Sequence, residues 1–411
     1  MGGLAFLALA LAFILGPASP AQAADVGQEL QEAALGGKFN LHLRYRFEFV
    51  DQDGIDRDAK ASTVRTRLGY RTGSFRDFSL FAEIEDLRAV GDDRYNSTVN
   101  GRTDFPVVVD PEEFVELNQA YIQYKGTSES MVPDTMLRVG RQQVIYDNHR
   151  WIGDVNFRQN MQTNDAVRLS NGSLPDTTLD YVYITKVHRI FGNESNAGNH
   201  AMDSHLFRGE YKGFDLGTLI GYAWVLDYER SGQFGLSSAT FGARFKGAYP
   251  VREDLKALYT AEYARQVDNA DNPSDFGHNY FLGELGATYA GVTGKVGYEF
   301  LDGDDTTALQ TPLATGHAFQ GWADKFLTTP ASGIEDLYVL VKTKVKGVTL
   351  IAVYHDFNAE EGSADLGHEW DAKAVTTLYD HLELELKYAN YLSDGFATDT
   401  QKIWVAVTLK Y

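Results

Sequence analysis

The chain contains no cysteine. Disulfides and thiolate chemistry are excluded, and an exported protein of this sequence must draw its stability from elsewhere. Basic residues are outnumbered, 37 Lys and Arg against 57 Asp and Glu, for a formal charge of −20. That balance argues against a nucleic-acid partner, whose phosphates need a basic surface. Beyond residue 23 no apolar run is long enough for a membrane helix. No linker, coiled coil or low-complexity tract interrupts the chain, which reads as one domain, and no repeat of about 40 residues suggests a propeller. Neither H-E-x-x-H nor G-x-S-x-G is present, and the 10 histidines are scattered. A hydrolase is therefore the weaker reading, resting on Asp147 and His149 alone, and the protein is expected not to be an enzyme.

Residues 1–23 carry no charge. Met1–Leu15 is apolar but shorter than the roughly 20 residues that span a bilayer as a helix. Pro17, Ser19 and Pro20 follow, and Ala21-Gln22-Ala23 forms an A-x-A cleavage site. We read 1–23 as a signal peptide, 24–37 as a short N-terminal segment and 38–411 as the folded domain. The basic stretch expected ahead of the apolar run is missing, which points to a true start upstream of Met1.

What the chain has in abundance is alternation, together with 23 Tyr, 24 Phe and 39 Gly. In Phe39–Phe49 every odd position is apolar or aromatic, and the even ones are Asn40, His42, Arg44, Arg46 and Glu48. A period of two places the sets on opposite faces of a strand. Val64, Leu68 and Tyr70 alternate with Arg65, Arg67 and Arg71. Leu337, Val339, Val341 and Val345 alternate with Tyr338, Leu340, Lys342, Lys344 and Lys346, and Leu382, Leu384, Leu386 and Tyr388 with Glu383, Glu385 and Lys387. The last strand gathers Ile403, Val405, Val407, Leu409 and Tyr411 on one face. A barrel in lipid needs an apolar outer band and tolerates charge in a wet lumen.

Strands are predicted near 38–51, 63–72, 77–90, 115–125, 135–146, 164–171, 176–188, 203–212, 214–227, 237–248, 254–268, 277–290, 292–301, 335–346, 348–358, 368–379, 381–391 and 400–411. The count is about 18, even as single-chain bacterial barrels require. Weak alternation in 77–90, 164–171 and 214–227 leaves 16 as the alternative. Tight connections at 71–77, 212–214, 290–292, 346–348 and 379–381 read as periplasmic turns, and 51–62, 91–114, 147–163, 189–202, 228–236, 302–334, 359–367 and 392–399 as external or inward-folded loops. The fold class is an all-β transmembrane antiparallel barrel.

Two stretches, Val139–Asp154 continuing through Phe157–Asn160 and Gln162–Arg168, and His317–Pro330, resemble the alginate export family of outer-membrane porins. The similarity covers most of 38–411. It implies a barrel of about 18 strands in the outer membrane of a Gram-negative bacterium, bedded in lipid and lipopolysaccharide. It also implies an arginine-rich lumen passing an acidic polysaccharide such as alginate, with periplasmic secretion partners. A general porin of other selectivity remains the alternative, and no trimer-packing signature is evident, so a monomer is expected.

The candidate pore lining is Arg44, Arg46, Arg65, Arg67, Arg141, Arg150, Arg158, Arg168, Arg208, Arg244, Lys342 and Lys344, with Lys295 on the same inward register. Forked guanidinium donors suit carboxylates. The plainer reading pairs each cation with an acid such as Glu48, Glu83, Glu210, Glu284 or Glu299. Loop 147–163 brings Asp147, His149, Trp151, Asp154, Gln159, Asn160 and Gln162, a set that would narrow a pore if folded inward. Trp224, Trp322, Trp370 and Trp404 suit membrane interfaces, with the lumen equally open for Trp322 and Trp404. No cofactor is expected; calcium at Asp268–Asp275 or Asp302–Asp305 is the weaker reading, because the full oxygen-ligand pattern is absent.

Overall fold

A computed structural model describes residues 20–362 and 364–411. Eighteen strands form one antiparallel sheet that closes on itself. β1 (Lys38–Gln52) pairs on one side with β2 (Ala59–Arg71) and on the other with β18 (Thr400–Lys410). Between them run β3 (Phe78–Arg94), β4 (Glu113–Lys125), β5 (Thr135–Gln142), β6 (Thr163–Asn171), β7 (Thr177–His188), β8 (Asn199–Phe214), β9 (Gly217–Leu226), β10 (Ser238–Arg252) and β11 (Leu255–Asp268). The circuit continues through β12 (Gly277–Tyr289), β13 (Val292–Leu301), β14 (Ile334–Val345), β15 (Val348–Asn358), β16 (Asp365–Leu378) and β17 (Leu382–Leu392). Closure leaves no edge of unpaired backbone facing lipid.

The three weakly alternating segments are strands β3, β6 and β9, so the count is 18 rather than 16. Several boundaries shift by up to four residues, and two of the shifts bear on the connections. Segment 135–146 stops at Gln142, where the chain leaves the wall for the lumen. The turn expected at 212–214 falls after Phe214, because a register shift between Tyr211 and Phe214 lets β8 continue. Two-residue turns join β12 to β13 at Ala290-Gly291 and β14 to β15 at Lys346-Gly347, all four residues at positive φ. Glycine in the second place makes this turn type inexpensive.

Of the expected signal peptide, residues 1–19 lie outside the described residues. Pro20–Leu35 forms a helix, α1, at the tight-turn end of the barrel. There the Gly73 N–H donates to Ala33 O at 2.8 Å and the Tyr70 hydroxyl to Ala34 O at 2.6 Å.

Leu80, Ile84, Leu285, Val296, Val339, Val341 and Leu386 stand exposed on the outer face. Aromatic pairs flank this band. Phe39–Tyr70 and Phe78–Tyr124, with centroids 4.5 and 5.2 Å apart, lie toward the tight turns, and Tyr354–Trp370, at 4.6 Å, toward the long loops. Such paired girdles mark the two membrane interfaces. Trp370 belongs to one. Trp224 does not: it is 2% exposed and stacks between Tyr146 and Tyr222 inside the barrel. Trp404 is also buried inward, where its ring meets Phe157 edge-on at 5.6 Å.

The polar-inside expectation fails along β7–β9. Val182, Ile184, Leu206, Ile220, Tyr222 and Trp224 form an apolar inner wall, and Val144, Tyr146, Trp151 and Ile152 pack against it. Those four belong to the segment between β5 and β6, so an inward-folded loop has acquired a hydrophobic core of its own. Each fully buried large apolar side chain contributes about 1.5–3 kcal/mol over exposure. The weak alternation of 214–227 follows, since both faces of that strand are apolar.

Adjacent residues of β14 test the two faces. Val339 faces outward and is 44% exposed, whereas Leu340 faces the lumen. Val339→Arg is expected to lower unfolding stability in lipid vesicles by about 2–4 kcal/mol, and Leu340→Arg by about 1 kcal/mol or less. Equal losses in denaturant titrations would contradict the assignment of faces.

Candidate functional site

Two loops fill the lumen. The first, residues 143–162, leaves β5 and is seated on β1 and β2. It begins earlier than the expected 147–163. A hydrogen bond from Tyr146 N–H to Ile152 O, 3.1 Å, closes a turn in which Asp147 and His149 take positive φ. The backbone then passes Arg44, whose guanidinium donates to Asn156 O and Phe157 O, both at 3.1 Å, to Arg158 O, and to the Gln159 side chain at 2.8 Å. Arg46 donates to Phe157 O at 2.7 Å and pairs with Glu48. Arg65 donates to Gln159 O at 3.0 Å and meets His42 Nδ1 at 2.7 Å. Arg67 donates to Asn156 Oδ1 at 2.9 Å and pairs with Glu85. Gln159 in turn donates to Thr63 Oγ1 at 2.8 Å, and Asn160 to the carbonyls of Arg189 and Ile190. Four guanidiniums of adjacent strands thus satisfy backbone oxygens that water would otherwise have to reach.

The remaining cations sort differently. Arg150 pairs with Glu299 at 2.9 Å, Arg168 with Asp180 at 3.3 Å and Arg244 with Glu262 at 3.1 Å. Arg208 takes Asp147 at 2.6 Å and Glu210 at 2.5 Å, and Lys295 lies 3.3 Å from Glu284. Asp147 is therefore bound to Arg208, while His149 lies 3.6 Å from Asp154. The Trp151 indole donates to Glu262 at 2.8 Å. Glu83 accepts from Asn40, Asn118 and Gln119. Arg141 departs from the expected lining: it shares the outward register of Leu137 and Val139, and bonds Asp165 and Leu117 O at the barrel rim. Lys342 and Lys344 sit exposed at the tight-turn mouth, away from both loops.

The second loop, residues 302–333, descends between β13 and β14. Asp324 is its anchor, bonding Arg158 at 2.6 Å, Lys402 at 2.9 Å and His317 Nδ1 at 2.7 Å. His317 lies flat on Phe157, with centroids 3.6 Å apart, and its Nε2 is 2.5 Å from Lys387 Nζ. That ammonium lies 3.8 Å from the Trp322 ring centre. On the facing wall, Glu369 accepts the Ala323 N–H at 2.7 Å and Asp371 the Trp322 N–H at 3.2 Å. Gly321, at φ +80°, has no Cβ to collide with the Glu369 carboxylate. The acidic-loop carboxylates are likewise bonded: Asp304 accepts Thr306 and Thr307 N–H groups, and Asp302 both Asn279 donors. Among the described residues no three metal-binding side chains group together.

Sequence reasoning passed over Asp324, Lys402, Asn156 and Phe157, and recorded Lys387 only as an inward position. The hint was available: Asp324 and His317 both lie in the 317–330 stretch, and Lys387 continues the inward register of Glu383 and Glu385.

The two loops divide the lumen. A cavity of about 630 Å³ opens toward the tight turns, with His42, Arg44, Arg46, Arg65, Lys373, Glu383, Glu385 and Lys410 on its wall. Another, of about 530 Å³, opens toward the long loops. Thr315 lines both, and the segments around Phe157 and His317 stand between them.

Residues 37–338 match the protein family described as Alginate export. No curated protein matches the chain by sequence. Among solved structures the chain is similar to Pseudomonas aeruginosa OccK1 (OpdK), with 13% identity over 91% of this chain and 98% of that one, at a TM-score of 0.71. It is similar to Acinetobacter baumannii OccAB2, with 17% identity, coverages of 91% and 98%, and a TM-score of 0.70. A BenF-like porin from Pseudomonas fluorescens Pf-5 gives 12% identity, coverages of 91% and 99%, and a TM-score of 0.70. At these identities the likeness speaks to the fold.

His317 makes the seat of the second loop sensitive to acid. Burial, then the Lys387 and Arg158 charges, hold its imidazole well below the usual 6.5 against the pull of Asp324. Burial works to raise the Asp324 carboxyl, but Lys402, Arg158 and His317 outweigh it and hold it well below the usual 3.8. A loop lifted from its seat binds a proton on His317 more readily. Seating is therefore favoured above pH 6.5 and weakens below it, by at most about 1.4 kcal/mol per pH unit. The Asp324 contribution persists to much lower pH. Single-channel conductance in planar bilayers should be steady above about pH 7 and rise, with added flicker, below about pH 6. In His317→Gln that dependence should flatten. A flat wild-type profile, or an unchanged rise in the variant, contradicts this account of the seat.

Proposed function

This chain belongs to the alginate export family and is an outer-membrane porin barrel, and from that premise we propose that it passes anionic, carboxylate-bearing oligosaccharide by passive diffusion. The observation that carries the reading is the bonding of Arg44 and Arg65. Both are held by uncharged partners: Arg44 by loop carbonyls and the Gln159 amide, Arg65 by Gln159 O, the Asn156 amide and His42. These partners carry no formal charge, so they hold the guanidiniums without an ion pair. Around the 630 Å³ cavity five Lys and Arg (Arg44, Arg46, Arg65, Lys373, Lys410) face three acids (Asp154, Glu383, Glu385). The local balance is opposite in sign to the chain's −20.

Low-dielectric walls focus the field of lining groups, whereas exposed loop acids act over about 8 Å in physiological salt. A wet arginine wall beside a narrow passage would attract uronate carboxylates and offer them forked donors. Two wall cations test selectivity without touching the loop seat: Lys373 pairs with Glu385, and Lys410 with Glu383 at 3.0 Å. In a salt gradient the wild-type reversal potential should report anion preference, and blocking by polyuronate oligomers should be measurable. Lys373→Glu with Lys410→Glu should move the potential toward cations and weaken the block. Asp304→Asn with Asp305→Asn, at the exposed start of the second loop and outside the lining of this cavity, should do little. A wild-type pore that prefers cations would defeat the proposal and favour a general porin.

A further inference from the structure

The cavity on the long-loop side differs in chemistry from the arginine wall. Its surface is largely apolar, built from Val109, Ile190, Phe191, Leu236, Pro312 and Leu327. Two cations reach it. Arg158 is neutralised by Asp324 at 2.6 Å, with Glu48 at 3.7 Å. Arg189 has no such partner: among the described residues no carboxylate or carbonyl accepts from its guanidinium, which lies 4.7 Å over the Phe191 ring. Burial lowers its pKa from the usual value, and among the described residues only the Tyr228 hydroxyl opposes that shift.

The backbone under Arg189 is fixed. Its N–H donates to Gly198 O at 2.8 Å, and its carbonyl accepts from Asn160 Nδ2 at 3.4 Å and from Gly192 N–H at 3.4 Å. A guanidinium on an anchored backbone, with donors that no group among the described residues claims and apolar side chains around it, is placed to receive an anion. Its planar fork matches a carboxylate. Most of the surrounding surface is aliphatic or aromatic, with Gln162, His200, Gln310 and Thr311 among the polar side chains, and it favours a ligand whose body is apolar.

We propose that this outer cavity is a binding site for small amphipathic monocarboxylates, with the carboxylate on Arg189 and the apolar body against Phe191, Ile190, Leu236 and Leu327. The site goes beyond the oligosaccharide reading and does not depend on it, since neither Arg189 nor these apolar residues line the arginine-walled cavity.

The test uses the purified full barrel in planar bilayers, with cyclohexanecarboxylate as probe, cyclohexanecarboxamide as its neutral counterpart and glucuronate as a hydroxylated monocarboxylate. Cyclohexanecarboxylate added on the long-loop side should interrupt the current. The amide should not, and glucuronate should need about ten-fold more or greater. Arg189→Gln should weaken the block about ten-fold or more, and Arg189→Lys less, with heat-modifiable mobility confirming that each variant folds. Block of equal strength by glucuronate or the amide would overturn the site, as would block unaltered in Arg189→Gln. Reversal potentials in the Lys373 and Lys410 variants report on the arginine wall alone, so either proposal can fail without the other.

Discussion

A loop folded into a barrel carries its backbone amides and carbonyls into a confined space, and each must find a partner or retain water. The rest of this lumen depends on that constraint. The wall meets it with charge. Carbonyls at 156–159 fall on the guanidiniums of Arg44, Arg46, Arg65 and Arg67, whereas N–H groups at 322 and 323 fall on the carboxylates of Asp371 and Glu369. Where the two loops touch, Arg158 and Asp324 close the circuit. Charged hydrogen bonds of this kind are about twice as strong as neutral ones, which suits segments that have no secondary structure to hold them.

Much of this was legible in the sequence. The alternation of 38–51 names the inward arginines, and the tight Ala290-Gly291 and Lys346-Gly347 turns fix orientation. The long loop after β5 was visible as one able to enter the lumen. The partners were not. Arg46 and Glu48 are two residues apart and on one face, so their pairing follows from the strand period, but Arg44 and Asn156 are separated by more than a hundred residues. Arg141 misled because its stretch resembles a family motif, whereas its register with Leu137 and Val139 puts it outside. Trp224 misled because an aromatic on a strand suggests a girdle, and nothing local records that a distant loop, through Tyr146, covers it. Trp224 and the weak alternation of 214–227 share one cause: period-two reasoning assumes that the inner face meets water, and on β7–β9 it meets protein.

That failure also accounts for where the passage lies. The first loop packs its apolar residues on β7–β9 and binds its backbone to β1 and β2. The second is held from β16, β17 and β18 by Glu369, Asp371, Lys387 and Lys402. One sector of the lumen is thereby a closed hydrophobic core. The larger cavity is lined from β1, β2, β16, β17 and β18. The residues that seat the loops and those that a solute would meet are thus drawn from the same strands. Arg44 and Arg65 stand in both groups: uncharged loop acceptors fix their orientation, and the same two guanidiniums line the larger cavity.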